Sequence, residues 1–236
     1  MEKLVWVLWR GDRDAESFGR TLIEDVAPGL AAAGARHVVV SVVDEAVARG
    51  HGLRIGSMDP AKDAVVTFWL EESFRRGECE AILDAAADRV AGYLVCESRP
   101  LRTPPDRAGS PGGRVDGFHL VTCLGRRDDI SYDEFIAEWQ GPFRDTAIDG
   151  QDTFDYVRNE VVRALTPEAP AWSAVVEEGF PLDALDDPAV FFDAVGDADR
   201  LAAHQTGMFE AVQKFLDLTS VESHPMSRYV FESGPD

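Results

Sequence analysis

Residues that build metal sites and disulfide frameworks are scarce in this sequence. It contains three cysteines and five histidines among 236 residues. The cysteines (Cys79, Cys96 and Cys123) are far apart and odd in number, and none belongs to a CxxC motif. A zinc site and a disulfide scaffold are therefore both unexpected, and the cysteines are typical of free thiols in a reducing cytoplasm.

Long apolar runs and basic residues are scarce as well. No apolar stretch approaches the roughly 20 residues that cross a bilayer, and the N-terminal MEKLVWVLWRGD becomes charged too early for a signal peptide. The chain carries 43 acidic and 23 basic residues, a formal charge of −20. A field of that sign repels nucleic-acid phosphates and anionic lipids. We expect a cytoplasmic protein that binds neither nucleic acid nor membranes.

Motifs that bind nucleotides or activate nucleophiles are also missing. The sequence has no GxGxxG after a strand, no P-loop, no HExxH and no GxSxG. We therefore expect neither a cofactor nor a metal. The composition, with 45% hydrophobic and 28% charged residues, is that of an ordinary globular protein, and the length favours two structural units.

A repeated order of predicted elements is the main positive signal. The first half is predicted to be β-α-β-β-α-β, with strands at 3–9, 37–43, 64–70 and one beginning at 93, and helices at 15–33 and 78–90. The order restarts with predicted strands at 118–124, 156–165, 172–176 and 228–231. Ser131 and Glu134 predict a capping box at the start of a helix, and further helices are predicted at 188–195 and 200–216.

A stretch rich in proline and glycine separates the two halves. Residues 101–117 contain three prolines and four glycines, which is typical of a linker or a surface excursion. We therefore predict a first repeat over 1–100, a linker over 101–117 and a second repeat over 118–236. Local matches support the duplication: the LxRxD pattern at 8–12 recurs at 124–128, and VCES at 95–98 resembles VFES at 230–233.

The duplication predicts a particular fold. A four-stranded antiparallel sheet with both helices on one face leaves its other face bare, and that face must be covered. Two such units in one chain can cover each other's bare faces. The predicted fold class is α+β, with two ferredoxin-like βαββαβ units fused in tandem into an intramolecular barrel of the dimeric α/β type around an apolar pocket.

The second half resembles EthD-like proteins of the dimeric α/β barrel superfamily. The resemblance rests on the strand ending LGRR at 124–127, the motif SYDEFxxxW at 131–139, and Gly141-Pro142. It covers residues 118–231 well and the first half only in outline. The family typically has a histidine four residues after the tryptophan, and Phe143 stands there in this chain. A mechanism based on that histidine is therefore not expected.

Other branches of that superfamily, among them antibiotic-biosynthesis monooxygenases and olivetolic-acid-cyclase-like enzymes, resemble this chain at two histidines. The stretch AHQTGMF at 203–209 is similar to their last helix, which a histidine often opens, and FHLV at 118–121 is similar to a first strand with a histidine facing the pocket. The resemblance implies acid–base roles for His119 and His204.

Strand periodicity places candidate residues around the predicted pocket. His119, Val121 and Cys123 share one face of the first strand of the second repeat, and we expect that face to point into the barrel. We expect the positive end of the helix dipole to keep His204 neutral, as suits a base. Trp139, Tyr156 and Phe143 are the remaining candidates for contacts with a flat substrate, although core packing is the more ordinary role for Trp139.

Three functions remain open at this point. The first is a cofactor-independent lyase, isomerase or cyclase that acts on a hydrophobic cyclic or polyketide-like molecule, with His119 and His204 transferring protons. The second is a cofactor-independent monooxygenase. The third is a non-catalytic protein that binds an apolar ligand. Haem binding, as in some proteins of the superfamily that the chain resembles, is a separate further possibility. A homodimer of fused barrels is compatible with each of them.

Overall fold

The computed structural model describes residues 1–56 and 58–231, so Glu232 and Ser233 of the second repeat match lie outside it. Within the described residues, eight strands close into an antiparallel barrel in the order β1-β3-β2-β8-β5-β7-β6-β4. The strands are β1 (Glu2–Trp9), β2 (Arg36–Val42), β3 (Ala64–Leu70), β4 (Arg89–Leu101), β5 (Phe118–Leu124), β6 (Asp155–Ala164), β7 (Ala174–Phe180) and β8 (Glu222–Val230). The first four have the spatial order β4-β1-β3-β2, and the last four repeat it as β8-β5-β7-β6. This arrangement confirms the predicted α+β barrel.

The helices cover the outside of the barrel. They are α1 (Ala15–Thr21), which continues through a π turn (Leu22–Val26) into α2 (Ala27–Ala32), then α3 (Gly77–Ala86), α4 (Tyr132–Gln140), α5 (Pro142–Asp149), α6 (Pro188–Phe191) and α7 (Ala198–Val212). Short 3-10 segments lie at Glu45–Leu53, Ser73–Arg75 and Leu182–Leu185. The predicted capping box between Ser131 and Glu134 is present at the start of α4. No helix among the described residues combines the length and the apolar character needed to cross a membrane.

Strand β8 differs from the prediction. It begins at Glu222 rather than at Arg228, and it includes His224 and Pro225, which precede the predicted strand. Proline is tolerated because β8 pairs with β2 only from Ser227 to Val230, so on that side no neighbouring strand requires an N–H from residue 225. The predicted linker is also hydrogen-bonded to the barrel. The backbone N–H groups of Gly112 and Val115 donate to the carbonyls of Val230 and Arg228, which fixes the linker along β8.

Side chains from the strands fill most of the barrel interior. As predicted, His119, Val121 and Cys123 point inward from β5. One end of the interior is mostly apolar, and its side chains include Val5, Val7, Trp9, Tyr93, Val121, Cys123, Trp172, Val175 and Met226. Lys62, Glu222 and His224 are also buried at this end, where Nζ of Lys62 donates to the carbonyl oxygen of Glu222. The other end holds buried charged side chains: Lys3, Glu97, Asp155, Glu177 and Arg228. The expectation of an apolar pocket inside the barrel is therefore corrected, because strand side chains occupy that space.

Candidate functional site

An apolar cavity lies between the sheet of the second half and the helices that cover it. Its volume is about 520 Å³. The sheet contributes Leu120, Thr122, Tyr156, Val176 and Glu178, and the helices contribute Phe143, Phe191, Gln205, Met208, Phe209 and Val212. This volume is within the usual range for a site that binds a small organic molecule, and the lining is of the mostly apolar kind that such sites have.

Comparison of the two repeats explains why the second half has this cavity between its sheet and its helices. In the first half, β1 pairs with β3 so that Leu4 lies opposite Phe68 and Trp6 opposite Val66. In the second half, β5 pairs with β7 in the same register, with Leu120 opposite Glu178 and Thr122 opposite Val176. Thr122 therefore occupies the position of Trp6, and Glu178 occupies the position of Phe68. The smaller side chains leave the space that Trp6 and Phe68 fill under the first-half helices.

Glu178 is the one carboxyl group in the lining, as far as the described residues go. Its side chain is 9% exposed, and no hydrogen bond or ion pair to it is found among the described residues. Burial alone raises the pKa of Glu178 to about 8. An unpartnered carboxyl with a pKa in this range can both release and accept a proton near neutral pH.

A few other polar groups interrupt the apolar wall. The hydroxyl of Tyr156 is buried beside the indole of Trp139 and forms no well-aligned hydrogen bond in the described structure; burial and then the nearby Glu178 raise its pKa. The side-chain carbonyl of Gln151 is buried without a hydrogen-bond donor from the described residues. Thr122 and Ser223 hydrogen-bond to each other across 2.8 Å. Isolated polar groups in an apolar wall are the usual means of orienting a bound ligand.

His119 lies on the other side of the sheet, inside the barrel. Its Nε2 atom is 3.2 Å from Oδ2 of Asp155, and the side chain has no solvent exposure. Burial and the positive charge of Arg228 lower the pKa of His119 below its usual value. This histidine therefore belongs to the buried polar cluster of the barrel, and it does not line the cavity.

Glu177 is at the centre of that polar cluster. Its carboxylate is 3.3 Å from Nζ of Lys3 and 3.0 Å from Nη1 of Arg228, and it accepts a hydrogen bond of 3.0 Å from Nδ2 of Asn159. Burial by itself would raise the pKa of Glu177, but Lys3 and Arg228 outweigh burial and hold this pKa far below its usual range. Glu177 is therefore ionised, and its carboxylate is paired with cations and a hydrogen-bond donor from within the cluster.

His204 does not lie where the sequence indicated. The helix that carries it begins at Ala198, with Asp197 as N-cap, so His204 is in the second turn and not at the positively charged helix start. Its Nδ1 atom lies 2.7 Å from the carbonyl oxygen of Phe192, as a donor to it would. His119 and His204 are on opposite faces of the second-half sheet, so one small ligand cannot contact both.

The predicted substrate-binding residues divide in the same way. Tyr156 and Phe143 line the cavity. Trp139 is fully buried and stacks on Phe135, which is the core-packing role. Val121 and Cys123 point into the barrel interior. A ligand in the cavity would thus meet two of the five predicted residues.

Sequence reasoning missed Glu178, although the sequence contains a signal for it. The segment AVVEEGF places two adjacent glutamates inside an apolar strand. Successive residues of a strand point to opposite faces, so one of the two must point into the barrel and the other toward the helices. The predicted strand at 172–176 ended just before this pair.

The cavity offers poor ligands for a haem iron. Its lining, over the described part of the chain, contains neither histidine nor cysteine. Tyr156 is the phenol in the lining, and its raised pKa disfavours the phenolate that an iron ion would need. The residues that line this cavity therefore do not fit a haem group.

Comparisons with known proteins identify the fold. The sequence matches no protein-family model, and it matches no curated protein significantly. Among solved structures, an anthrone oxidase-like protein matches with 12% identity and a TM-score of 0.54, covering 98% of this chain and 94% of that one. A candidate monooxygenase from Lactobacillus acidophilus NCFM matches with 10% identity and a TM-score of 0.50, over 98% and 96% of the two chains. Likeness at such low identity concerns architecture alone, and the chain has the fold of the dimeric α/β barrel proteins.

Proposed function

We propose that this chain is an enzyme that transfers a proton to or from a hydrophobic small molecule bound in the second-half cavity, with Glu178 as the acid–base group. The observation that carries the proposal is the unpartnered, buried carboxyl of Glu178 facing an apolar cavity. Burying such a group without a partner costs stability, and perturbed carboxyls of this kind are concentrated at functional sites.

The expected substrate has a polar head and an apolar body. The apolar wall suits a flat or cyclic hydrocarbon frame, and Glu178 would remove a proton from a carbon next to a carbonyl group. The Tyr156 hydroxyl is available to donate to the oxygen on which negative charge develops, and the carbonyl of Gln151 is available to accept from a hydroxyl of the substrate. Isomerisation, cyclisation and dehydration all follow from this one step.

A cofactor-independent monooxygenase is the second candidate. The names of two solved structures with the same fold, an anthrone oxidase-like protein and a candidate monooxygenase, favour it. Removal of a proton by Glu178 would again be the first step, because the resulting carbanion is rich enough in electrons to react with O2. The two candidates therefore share one residue and differ in what happens to the carbanion.

Anthrone is a suitable test compound because it is apolar, flat and acidic at C10. Without oxygen, proton transfer appears as hydrogen–deuterium exchange at C10, measured by NMR in D2O. In air, oxygenation converts one anthrone and one O2 into one anthraquinone and one water, measured by absorbance. We expect the protein to accelerate the exchange, and Glu178→Gln to lower that acceleration by about 10²-fold or more.

The matched control is Glu210→Gln on α7, which makes the same chemical change at an exposed position. We expect this variant to retain the wild-type rate. If both variants retain it, Glu178 is not the acid–base group. If the wild-type protein binds anthrone but accelerates neither reaction, the chain is a binding protein for this class of compound. Anthraquinone that forms in air and depends on Glu178 would favour the monooxygenase.

A further inference from the structure

A second pocket opens at the charged end of the barrel, on the opposite side of the sheet from the Glu178 cavity. It has a volume of about 250 Å³. Lys3, Arg99 and Arg228 line it, together with Trp69 and, from the predicted linker, Ala108 and Ser110. None of these residues lines the cavity that contains Glu178.

The electrostatic character of this pocket is the reverse of that of the whole chain. The formal charge of the sequence is −20, yet among the described residues three cationic side chains and no carboxyl group line the pocket. Their partners Glu97, Glu177 and Asp155 are absent from the lining. The positive and negative charges of this buried cluster are thus equal in number, but only the positive side chains line the pocket.

The guanidinium groups retain donors for a ligand. In the described structure, Nη1 of Arg228 donates to Glu177 across 3.0 Å and lies 3.7 Å from Oδ2 of Asp155. No hydrogen bond from Nε or Nη2 of Arg228 is found among the described residues. Arg99 uses Nε and Nη2 on Glu97, which leaves Nη1. Arg228 is only 5% exposed, so its charge is held in place and little of it is screened by water. Paired N–H donors of this kind match the two oxygens of a carboxylate.

The remaining walls are suited to an apolar or aromatic body. Trp69, Val39 and Val230 line the pocket beside the cations. The linker forms the opposite wall, and Arg114 Nε donates to Oγ of Ser227 across 2.9 Å, which adds to the backbone bonds that fix the linker on β8. The volume is sufficient for an anion of about the size of benzoate.

From these observations we propose that the barrel end is a separate binding site for a small organic carboxylate with an apolar or aromatic body. Arg99 and Arg228 bind the carboxylate, and Trp69 contacts the body. The linker, of which residues 102–117 lie between β4 and β5, closes the site. The linker thereby has a function beyond joining the repeats.

Calorimetric titration with sodium benzoate tests this site in the full chain. We expect one benzoate per chain, at least tenfold weaker binding to Arg99→Gln, and binding within twofold of wild type for Arg89→Gln. Arg89 is a matched control because it lies on the same strand, β4, outside the lining of the pocket. Ala108→Trp, an exposed linker position, should abolish binding without a change inside the barrel.

Three results would overturn the proposal. One is the absence of saturable benzoate binding to the wild-type protein. Another is loss of benzoate binding in Thr122→Trp with binding retained in Arg99→Gln, which would place benzoate in the Glu178 cavity. The third is inorganic phosphate binding as tightly as benzoate, because the apolar body would then contribute nothing.

Discussion

The two repeats share one backbone plan and use it differently. At equivalent register positions, the first half buries Trp6 and Phe68 where the second half has Thr122 and Glu178. The first-half sheet therefore packs solidly against its helices, and the second-half sheet leaves a cavity with a buried carboxyl. The comparison indicates that one copy stabilises the closed barrel while the other is able to carry a site that costs stability.

Glu177 and Glu178 repeat this contrast within a single strand. Glu177 points into the barrel, and despite its burial, Lys3 and Arg228 hold its pKa far below the usual range. Glu178 points to the cavity, and burial without a partner raises its pKa to about 8. Adjacent residues of the same type thus differ in protonation because the two faces of β7 differ in what they supply.

The largest effect on stability should come from Phe68→Glu, which gives the first half the residue type that the second half has at the equivalent position, Glu178. We expect the free energy of unfolding to fall by about 5 kcal/mol or more, because a packed ring is lost and a carboxyl is buried without a cavity around it. Urea denaturation measures the loss, with Phe68→Leu as a control that costs about 1 kcal/mol. Equal losses in the two variants would mean that the first half tolerates a buried carboxyl.

The next largest effect should come from Glu177→Gln. This change leaves Lys3 and Arg228 with one fewer buried negative partner, and we expect the free energy of unfolding at neutral pH to fall by about 3–5 kcal/mol. The matched variant is Glu178→Gln, the same change one residue later, which should not be destabilising at that pH. If the two variants lose stability equally, the assignment of the two faces is wrong.

A smaller effect should appear in the pH dependence of Glu178→Gln. The pKa of Glu178 is about 8 in the folded chain and lies near the ordinary glutamate value of 4.5 in the unfolded chain. Between these two values the folded chain binds more protons, so wild-type stability falls as pH rises through this window. Glutamine does not titrate, so the stability of Glu178→Gln does not fall for this reason as pH rises.

We therefore expect the variant and the wild type to be similar near pH 5, and the variant to be more stable by about 2–4 kcal/mol near pH 9. Urea denaturation at a series of pH values measures the difference. Glu210→Gln should follow the wild-type curve throughout. A constant difference between Glu178→Gln and wild type at all pH values would mean that Glu178 has an ordinary pKa.

The fold could be predicted from the sequence because its signals are local. Alternating apolar residues located β5 and the inward face of His119, and Ser131 with Glu134 located the start of α4. The site could not be predicted in the same way. Two adjacent carboxylates have low strand propensity, so the prediction ended β7 before Glu177, and the tertiary environment overrides that propensity.

Predicting the cavity from the sequence would require a comparison of residues that are far apart in the chain. Thr122 and Glu178 indicate a space only when they are aligned with Trp6 and Phe68, and that alignment requires the strand register of both halves. The predicted position of His204 at the start of a helix is wrong, because α7 begins six residues earlier, at Ala198. The EthD-like resemblance of the second half is not tested by the fold and stays a prediction.

Helix α7 lies over the cavity, and in its 15 residues no side chain is fully buried, whereas α4 buries Phe135 and Trp139. A helix with so little packing separates from the sheet at a lower free energy than the rest of the barrel. Its amide hydrogens should therefore exchange with solvent earlier than those of α4, and its opening gives a large apolar molecule a route to Glu178. A bound ligand would supply the missing contacts, so occupancy of the cavity would itself hold the entrance closed.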